Sequence, residues 1–181
     1  MSKTHQILIS RCQKQDERAM MQIYDLYCDA MYHVACRYLN DEDAKDAMQE
    51  GFLKAFTRIK TYQPNFAFGT WLKRIIINTC LDVLKTHKIE FSDVAIENVK
   101  LLDDSDWFFD EVITKEDIIK NIEKLNTKYK VVLNLYLLEG YDHEEISKIL
   151  SIPIKTSRTH LRRAKLKLQE LLKDKYHETR Y

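Results

Sequence analysis

Between residues 16 and 39, apolar side chains recur at Ile23, Leu26, Tyr27, Ala30, Met31, Val34 and Tyr38, the three-and-four spacing of one helical face. Asn40-Asp41-Glu42-Asp43 interrupts the pattern. Such residues suit a helix start, where side-chain oxygens cap free amides and negative charge complements the dipole. The next helix covers about residues 44–59, with Ala47, Met48, Phe52, Ala55, Phe56 and Ile59 inward. Its other face carries Asp43, Asp46, Gln49, Glu50 and Lys54. Gly51 in its middle costs about 1 kcal/mol against alanine, which a neighbouring helix passing close by would justify. Pro64 and Gly69 bracket a non-helical loop, 62–69. Thr70 is placed to cap a third helix, 71–85, whose inner positions include Leu72, Ile75, Ile76, Thr79, Cys80, Val83 and Leu84.

Periodicity then fails. Residues 90–117 hold ten acids and two lysines, a composition that does not pack alone and reads as a linker. Helical spacing returns over 115–125 and again over 127–138, where Glu139-Gly140 ends it. Asp142 starts a short helix, and Glu145 three residues on completes a capping box. Ile146, Ile149 and Leu150 form its inner face, and Ser151-Ile152-Pro153 is a turn. Pro153 suits a helix start because its missing amide would be unpaired anyway. The last helix, 154–172, sets Ile154, Ser157, Leu161, Ala164 and Leu168 on one face. The expected fold is all-α: small helical domains at 1–88 and 117–181, an acidic linker at 89–116, and a helix-turn-helix in the second domain.

Composition agrees with long helices, since only three glycines and two prolines interrupt 181 residues. The four cysteines, Cys12, Cys28, Cys36 and Cys80, form no CxxC pair and read as small buried residues in a reducing compartment. Cys28, His33 and Cys36 match no usual metal-ligand spacing. The apolar run near the N-terminus is too short for a signal peptide, and no stretch approaches the ~20 residues a membrane span needs. A cytoplasmic protein is expected. No Gly-rich phosphate loop, nucleophile constellation or metal-ligand spacing supports an enzyme, and no cofactor is expected.

Formal net charge is only +1, so a nucleic-acid surface has to come from segregated charge. Segregation is present. Residues 51–81 contain no acid, and Lys54, Arg58, Lys60, Lys73 and Arg74 alternate there with Phe56, Tyr62, Phe66, Phe68 and Trp71. Cations interleaved with flat rings suit a surface that tracks phosphates while unpaired bases stack. Phe66 and Phe68 are equally suited to a core, and Trp71 reads as structural. The last helix holds Lys155, Arg158, Arg162, Arg163, Lys165 and Lys167 between residues 154 and 168, again without an acid. Lys155, Thr156, Arg158, Thr159 and Arg162 point away from its apolar stripe, mostly in the first turns, where a recognition helix meets base edges.

Three motif runs recur in order: Asp43-Ala44…Asp46…Gln49-Glu50…Phe52-Leu53…Phe56, then Thr70-Trp71-Leu72…Arg74-Ile75…Asn78…Asp82, then Glu145-Ile146…Leu150…Ile152-Pro153…Thr156…Leu161…Arg163-Ala164…Leu168. With them the chain resembles the bacterial RNA polymerase sigma factors of the extracytoplasmic-function (ECF) class, over about residues 15–88 and 116–172. The chain departs from the family pattern at Ser157, where an apolar residue is usual, and at Ser147, where alanine is common. Lys85, His87 and Lys88 make a weaker basic tail than the usual arginine cluster.

The resemblance implies a transcription initiation factor whose partners are core RNA polymerase, promoter DNA and an anti-sigma factor. Asp43, Asp46, Gln49 and Glu50 would dock on the polymerase clamp helices, an acidic and amide face against a basic partner. Tyr62, Phe66, Phe68, Lys73, Arg74 and Asn78 would read and melt the −10 element as single strand. Lys155, Thr156, Arg158, Thr159, Arg162 and Arg163 would read the −35 duplex, with arginine pairing bidentately to guanine and later cations holding phosphates. The acidic linker would thread the polymerase's nucleic-acid channel. The alternative is a helix-turn-helix regulator that binds duplex DNA without polymerase and leaves Asn78 and the aromatic loop without a task.

Overall fold

The computed structural model describes residues 3–87, 91 and 113–178. All secondary structure among them is helical, and the chain divides into two compact units, Met1–Lys88 and Ile89–Tyr181. Most of the acidic linker stretch, 89–116, lies outside the described residues.

The first unit contains α1 (Lys3–Gln13), α2 (Glu17–Cys36), α3 (Asp41–Thr57), a 3-10 turn (Ile59–Thr61) and α4 (Phe68–Thr86). Asp16 caps α2 by accepting from the Ala19 amide at 3.1 Å, and Asn40 caps α3 by accepting from the Asp43 amide at 3.0 Å. Both are the polar N-caps that the broken apolar pattern marks. Buried Ala19, Ile23, Met31, Val34 and Ala35 turn α2 toward the core. Leu26 and Ala30, expected on that face, are exposed. Leu26 instead lines a shallow groove with Ile7 and Leu8 of α1, at the edge of the α1–α2 contact.

Among the described residues the most extensive helix–helix packing is α3 on α4. A Cβ at Gly51 would collide with the Ile76 side chain, and the Cα of Ile76 would stand only 3.4 Å from it. Glycine leaves room there for the Ile76 side chain between the two helices. The expected close neighbour is therefore α4.

Two helix starts in this unit also differ from the sequence expectation. Helix α1, absent from it, packs on α2 by burying Ile9 and Cys12. It presents too few apolar positions for a clear period, so tertiary contact sustains it. Helix α4 begins at Phe68, earlier than expected, and its cap position is Ala67, which offers no side-chain bond. Thr70 is thus within the first turn, where its amide donates to the Ala67 carbonyl at 3.0 Å. Burial of the Phe68 ring draws the backbone into the helix before Thr70 can cap it.

The second unit contains α5 (Lys115–Glu123), α6 (Thr127–Leu133), a π-helical turn (Asn134–Leu138), α7 (His143–Leu150) and α8 (Ile154–Glu178). Capping boxes start α5, through Thr114 and Asp117, and α7, through Asp142 and Glu145. Val131, Val132, Leu133 and Leu135 meet Ile146, Leu161, Ala164 and Leu168 in a core built around α8. Ile154, expected on the inner stripe, is 38% exposed, whereas Ile152 in the turn is buried.

Candidate nucleic-acid interface

The acid-free stretch 51–81 folds with its rings on two sides of a boundary. Tyr62 and Phe68 are 6% and 1% exposed. Their rings lie 5.3 Å apart, each about 5.4–5.5 Å from Trp71, and Tyr27 adds a further edge to Phe68 at 5.5 Å. Both rings, expected among the −10 residues, are buried in the core, and Tyr62 also lines the cleft described below. An edge-to-face cluster of this kind satisfies each ring's quadrupole as well as its area. Trp71 is half-buried in the same cluster, as its structural reading expects.

Phe66 is the opposite case. It is 70% exposed, and the Tyr62 hydroxyl donates to its carbonyl oxygen at 2.7 Å. Beside it opens a cleft of about 830 Å³ between the loop and α1. Gln6, Ser10 and Gln13 of α1 face Asn65 and Phe66 across this cleft. These α1 residues carry no signal in the sequence, because nothing there marks α1 as an element. On α4, Arg74 and Asn78 are exposed and share a face by their four-residue spacing, while Lys73 is half-buried.

The acidic face of α3 is separate from these groups. Asp46, Gln49 and Glu50 are exposed, and Asp43 is half-buried. Asp43 accepts from the Asn40 amide nitrogen at 2.9 Å and lies 3.9 Å from Nδ1 of His87 at the end of α4. Glu50 pairs with Lys54 at 2.8 Å. Leu53, 68% exposed and three or four residues from Gln49 and Glu50, adds an apolar side chain to this face. The sequence offered its exposure no signal beyond its place in the motif run. Nearby, Asp41 accepts from Lys45 at 2.7 Å and from the Tyr32 hydroxyl. The Lys45 bond and then the Tyr32 bond hold its carboxyl below the usual range.

In the second unit α7, a turn and α8 form a helix-turn-helix. Ser151 adopts left-handed φ of 54°, and the Ser147 hydroxyl donates to the Ile152 carbonyl at 2.5 Å. Lys155 and Arg158 are exposed, whereas Thr156, Thr159, Arg162 and Arg163 are half-buried. The Thr159 hydroxyl donates to the Lys155 carbonyl at 2.9 Å, and Arg163 reaches the Tyr129 hydroxyl of α6 at 3.4 Å. His143 and His160, not singled out from the sequence, both serve this motif. Nδ1 of His143 lies 2.9 Å from the Ser157 hydroxyl, and fully buried His160 meets Tyr129 edge-on at 5.4 Å. His160 could have been found by period, since it falls between Ser157 and Ala164 on the inner stripe.

Residues 23–89 match the model of Sigma-70 region 2, and residues 115–168 that of Sigma-70, region 4. The chain is 30% identical over 175 residues to the ECF RNA polymerase sigma-E factor of Escherichia coli (strain K12), covering 90% of this chain and 91% of that one. It belongs to the ECF sigma factors.

It is also 29% identical over 178 residues to ECF RNA polymerase sigma factor SigW of Bacillus subtilis (strain 168), covering 92% and 95% of the two chains. The sigma factor shares its fold with RpoE of Bartonella quintana, solved in complex with the anti-sigma factor NepR. That likeness has a TM-score of 0.51 at 21% identity and covers 84% of this chain and 96% of the other. As a member of this family the protein is a non-enzymatic transcription initiation factor that binds RNA polymerase and promoter DNA. Among the described residues no group of three or more His, Cys, Asp and Glu side chains could hold a metal ion, and no helix is long and apolar enough to cross a membrane. Cys12 and Cys80 are buried, and burial pushes the Cys80 thiol up to about 12. Cys28 and Cys36, expected to be buried, are only half-buried.

Proposed function

We propose that this sigma factor opens promoters by dividing the DNA between its two units. The exposed ring of Phe66 beside the cleft, on a backbone whose carbonyl accepts from the Tyr62 hydroxyl, is the observation that carries the reading. An unpaired −10 base would stack on Phe66 and enter the cleft, where the amides of Gln6, Gln13 and Asn65 offer donors and acceptors to its edge. Lys73, Arg74 and Asn78 would follow the opened strand along α4. Tyr62 and Phe68 would support the loop from the core. In the second unit Lys155, Thr156, Arg158, Thr159, Arg162 and Arg163 would meet the −35 duplex, with Arg158, the exposed arginine among them, the strongest base reader.

Asp43, Asp46, Gln49 and Glu50, joined by Leu53, would dock on the basic clamp helices of core polymerase. The acidic stretch 89–116 would thread the polymerase channel. The 25 residues before the α5 cap, 89–113, would reach roughly 80 Å if extended, more than the roughly 35–70 Å of one to two duplex turns. An anti-sigma factor would hold the protein inactive in the cytoplasm until a signal releases it. The RpoE–NepR complex is a precedent for such a partner in this fold.

Run-off transcription with purified core polymerase, combined with permanganate mapping of unpaired thymines, tests the reading. Initiation with reactive thymines at −10 is expected. Binding of core without initiation at any genomic promoter would sink it.

A further inference from the structure

We infer that His143 is a positioning residue for the recognition helix, and that its bond to Ser157 sets the rotation at which α8 meets the −35 duplex. The inference rests on the reading of α8 as the −35 helix.

Ser157 is 0% exposed and sits on the inner stripe of α8, among apolar side chains. A buried hydroxyl needs a partner. Helical hydroxyls commonly turn back on their own helix, as Thr159 does on Lys155 at 2.9 Å and Thr79 on Ile75 at 3.0 Å. Ser157 reaches across the motif instead, with its Oγ 2.9 Å from Nδ1 of His143. His143 is the first residue of α7, and the Asp142–Glu145 capping box fixes the backbone there. Its ring stacks on Tyr136 of the π-helical turn, with centroids 4.8 Å apart and planes at 26°. One imidazole therefore joins the π-turn, α7 and α8.

The direction of that bond matters more than its strength. Apolar contacts tolerate a small roll or slide of one helix over another, whereas a hydrogen bond weakens steeply when misaligned. Ser157 lies between Thr156 and Arg158, on the turns that carry Lys155 and Thr159, so a roll of α8 about its axis would move all four relative to base edges. At the other end of the turn, the Ser147 hydroxyl on the Ile152 carbonyl and the left-handed Ser151 fix the approach of the chain. Together they replace a greasy pivot with an oriented one. His143 touches no base in this scheme. It acts through Ser157.

Holoenzyme assembled from the full chain and core RNA polymerase is probed with a pool of duplexes randomised over one helical turn. The best enriched duplex and a scrambled one are then compared in affinity. His143→Ala and Ser157→Ala are each expected to lower the ratio of the two about tenfold, mainly through the enriched duplex, and to broaden base preference. Scrambled-duplex binding and core binding should hold, and the double variant should fall no further than either single one. His143→Gln, whose amide can still meet Ser157, should keep most of the ratio. An unchanged ratio in His143→Ala, additive losses in the double variant, or an equal fall in scrambled and enriched binding would each overturn the inference. A wild-type holoenzyme that enriches no duplex would overturn the −35 reading itself, an outcome distinct from the other three.

Discussion

The hydroxyl of buried Tyr62 donates to the carbonyl oxygen of exposed Phe66 at 2.7 Å, so a core residue fixes the backbone that carries an exposed ring. Burial raises the Tyr62 phenol above its usual pKa. Scaffold and contact are thus four residues apart, and substitutions separate them. Tyr62→Phe should lower the stability of the first unit by about 1 kcal/mol and slow promoter opening. Phe66→Ala should leave thermal unfolding unchanged and reduce open complex about tenfold or more, the loss of one base–ring stack. Permanganate reactivity at −10 and calorimetric unfolding distinguish the two. Equal effects of both variants on both measurements would contradict the division.

Gly51 should resist replacement by the residue that helices prefer. Gly51→Ala would gain about 1 kcal/mol in an isolated helix. Against Ile76 it should instead destabilise the unit by about 1–3 kcal/mol. Ile76→Val removes the colliding Cδ1 and leaves Cα and Cγ1 at 3.4 and 3.5 Å from the new Cβ, so the double variant should recover part of the loss. Urea unfolding of both variants checks this. A neutral Gly51→Ala would mean that α3 and α4 stand further apart.

Asp16 links α1 to α2. Nε and Nη2 of Arg11 both reach its Oδ2 at 2.8 Å, and that bond, followed by the Ala19 amide, holds its carboxyl below the ordinary value. A carboxyl depressed in the folded state adds stability that is present above its unfolded pKa, about 4, and is lost as pH falls through the folded value. Asp16→Asn should therefore unfold at a temperature that changes less than wild type between neutral pH and roughly pH 3. Melting curves across that range test it, and parallel curves would rule the link out.

Arg158 and Asn78 should fail in different assays. Arg158→Ala is expected to weaken −35 duplex binding by about 1–3 kcal/mol and to relax base preference there. Asn78→Ala should leave duplex affinity intact and reduce opening at −10. Filter binding to −35 duplex beside permanganate mapping gives both readouts. If both variants changed duplex affinity alone, the assignment of −10 to the first unit would be wrong.

Local chemistry was plainly written in the chain. The Asp142–Glu145 capping box, the Asn40 break before α3 and the turn at Ser151 each depend on residues within a few positions of one another. Gly51 even implied its own close neighbour. Helix α1 was not legible, because Ile9 and Cys12 mark a face only once α2 lies against them. For the same reason the α1 side of the cleft beside Phe66 was invisible.

The sequence by itself determined the order of the helices after α1, the helix-turn-helix and the family, because caps, turns, apolar periods and motif spacing are short-range properties of the chain. Only the tertiary structure decided which of three neighbouring rings is left exposed. Tyr62, Phe66 and Phe68 are alike as letters, and a two-residue or four-residue step does not say which side of a loop is covered. The packing of Tyr27 and Trp71 closed over two of them and left Phe66 in the open. The same holds for Ser157. It departs from the family pattern in sequence, and only the arrival of His143 from another helix gives its buried hydroxyl a partner.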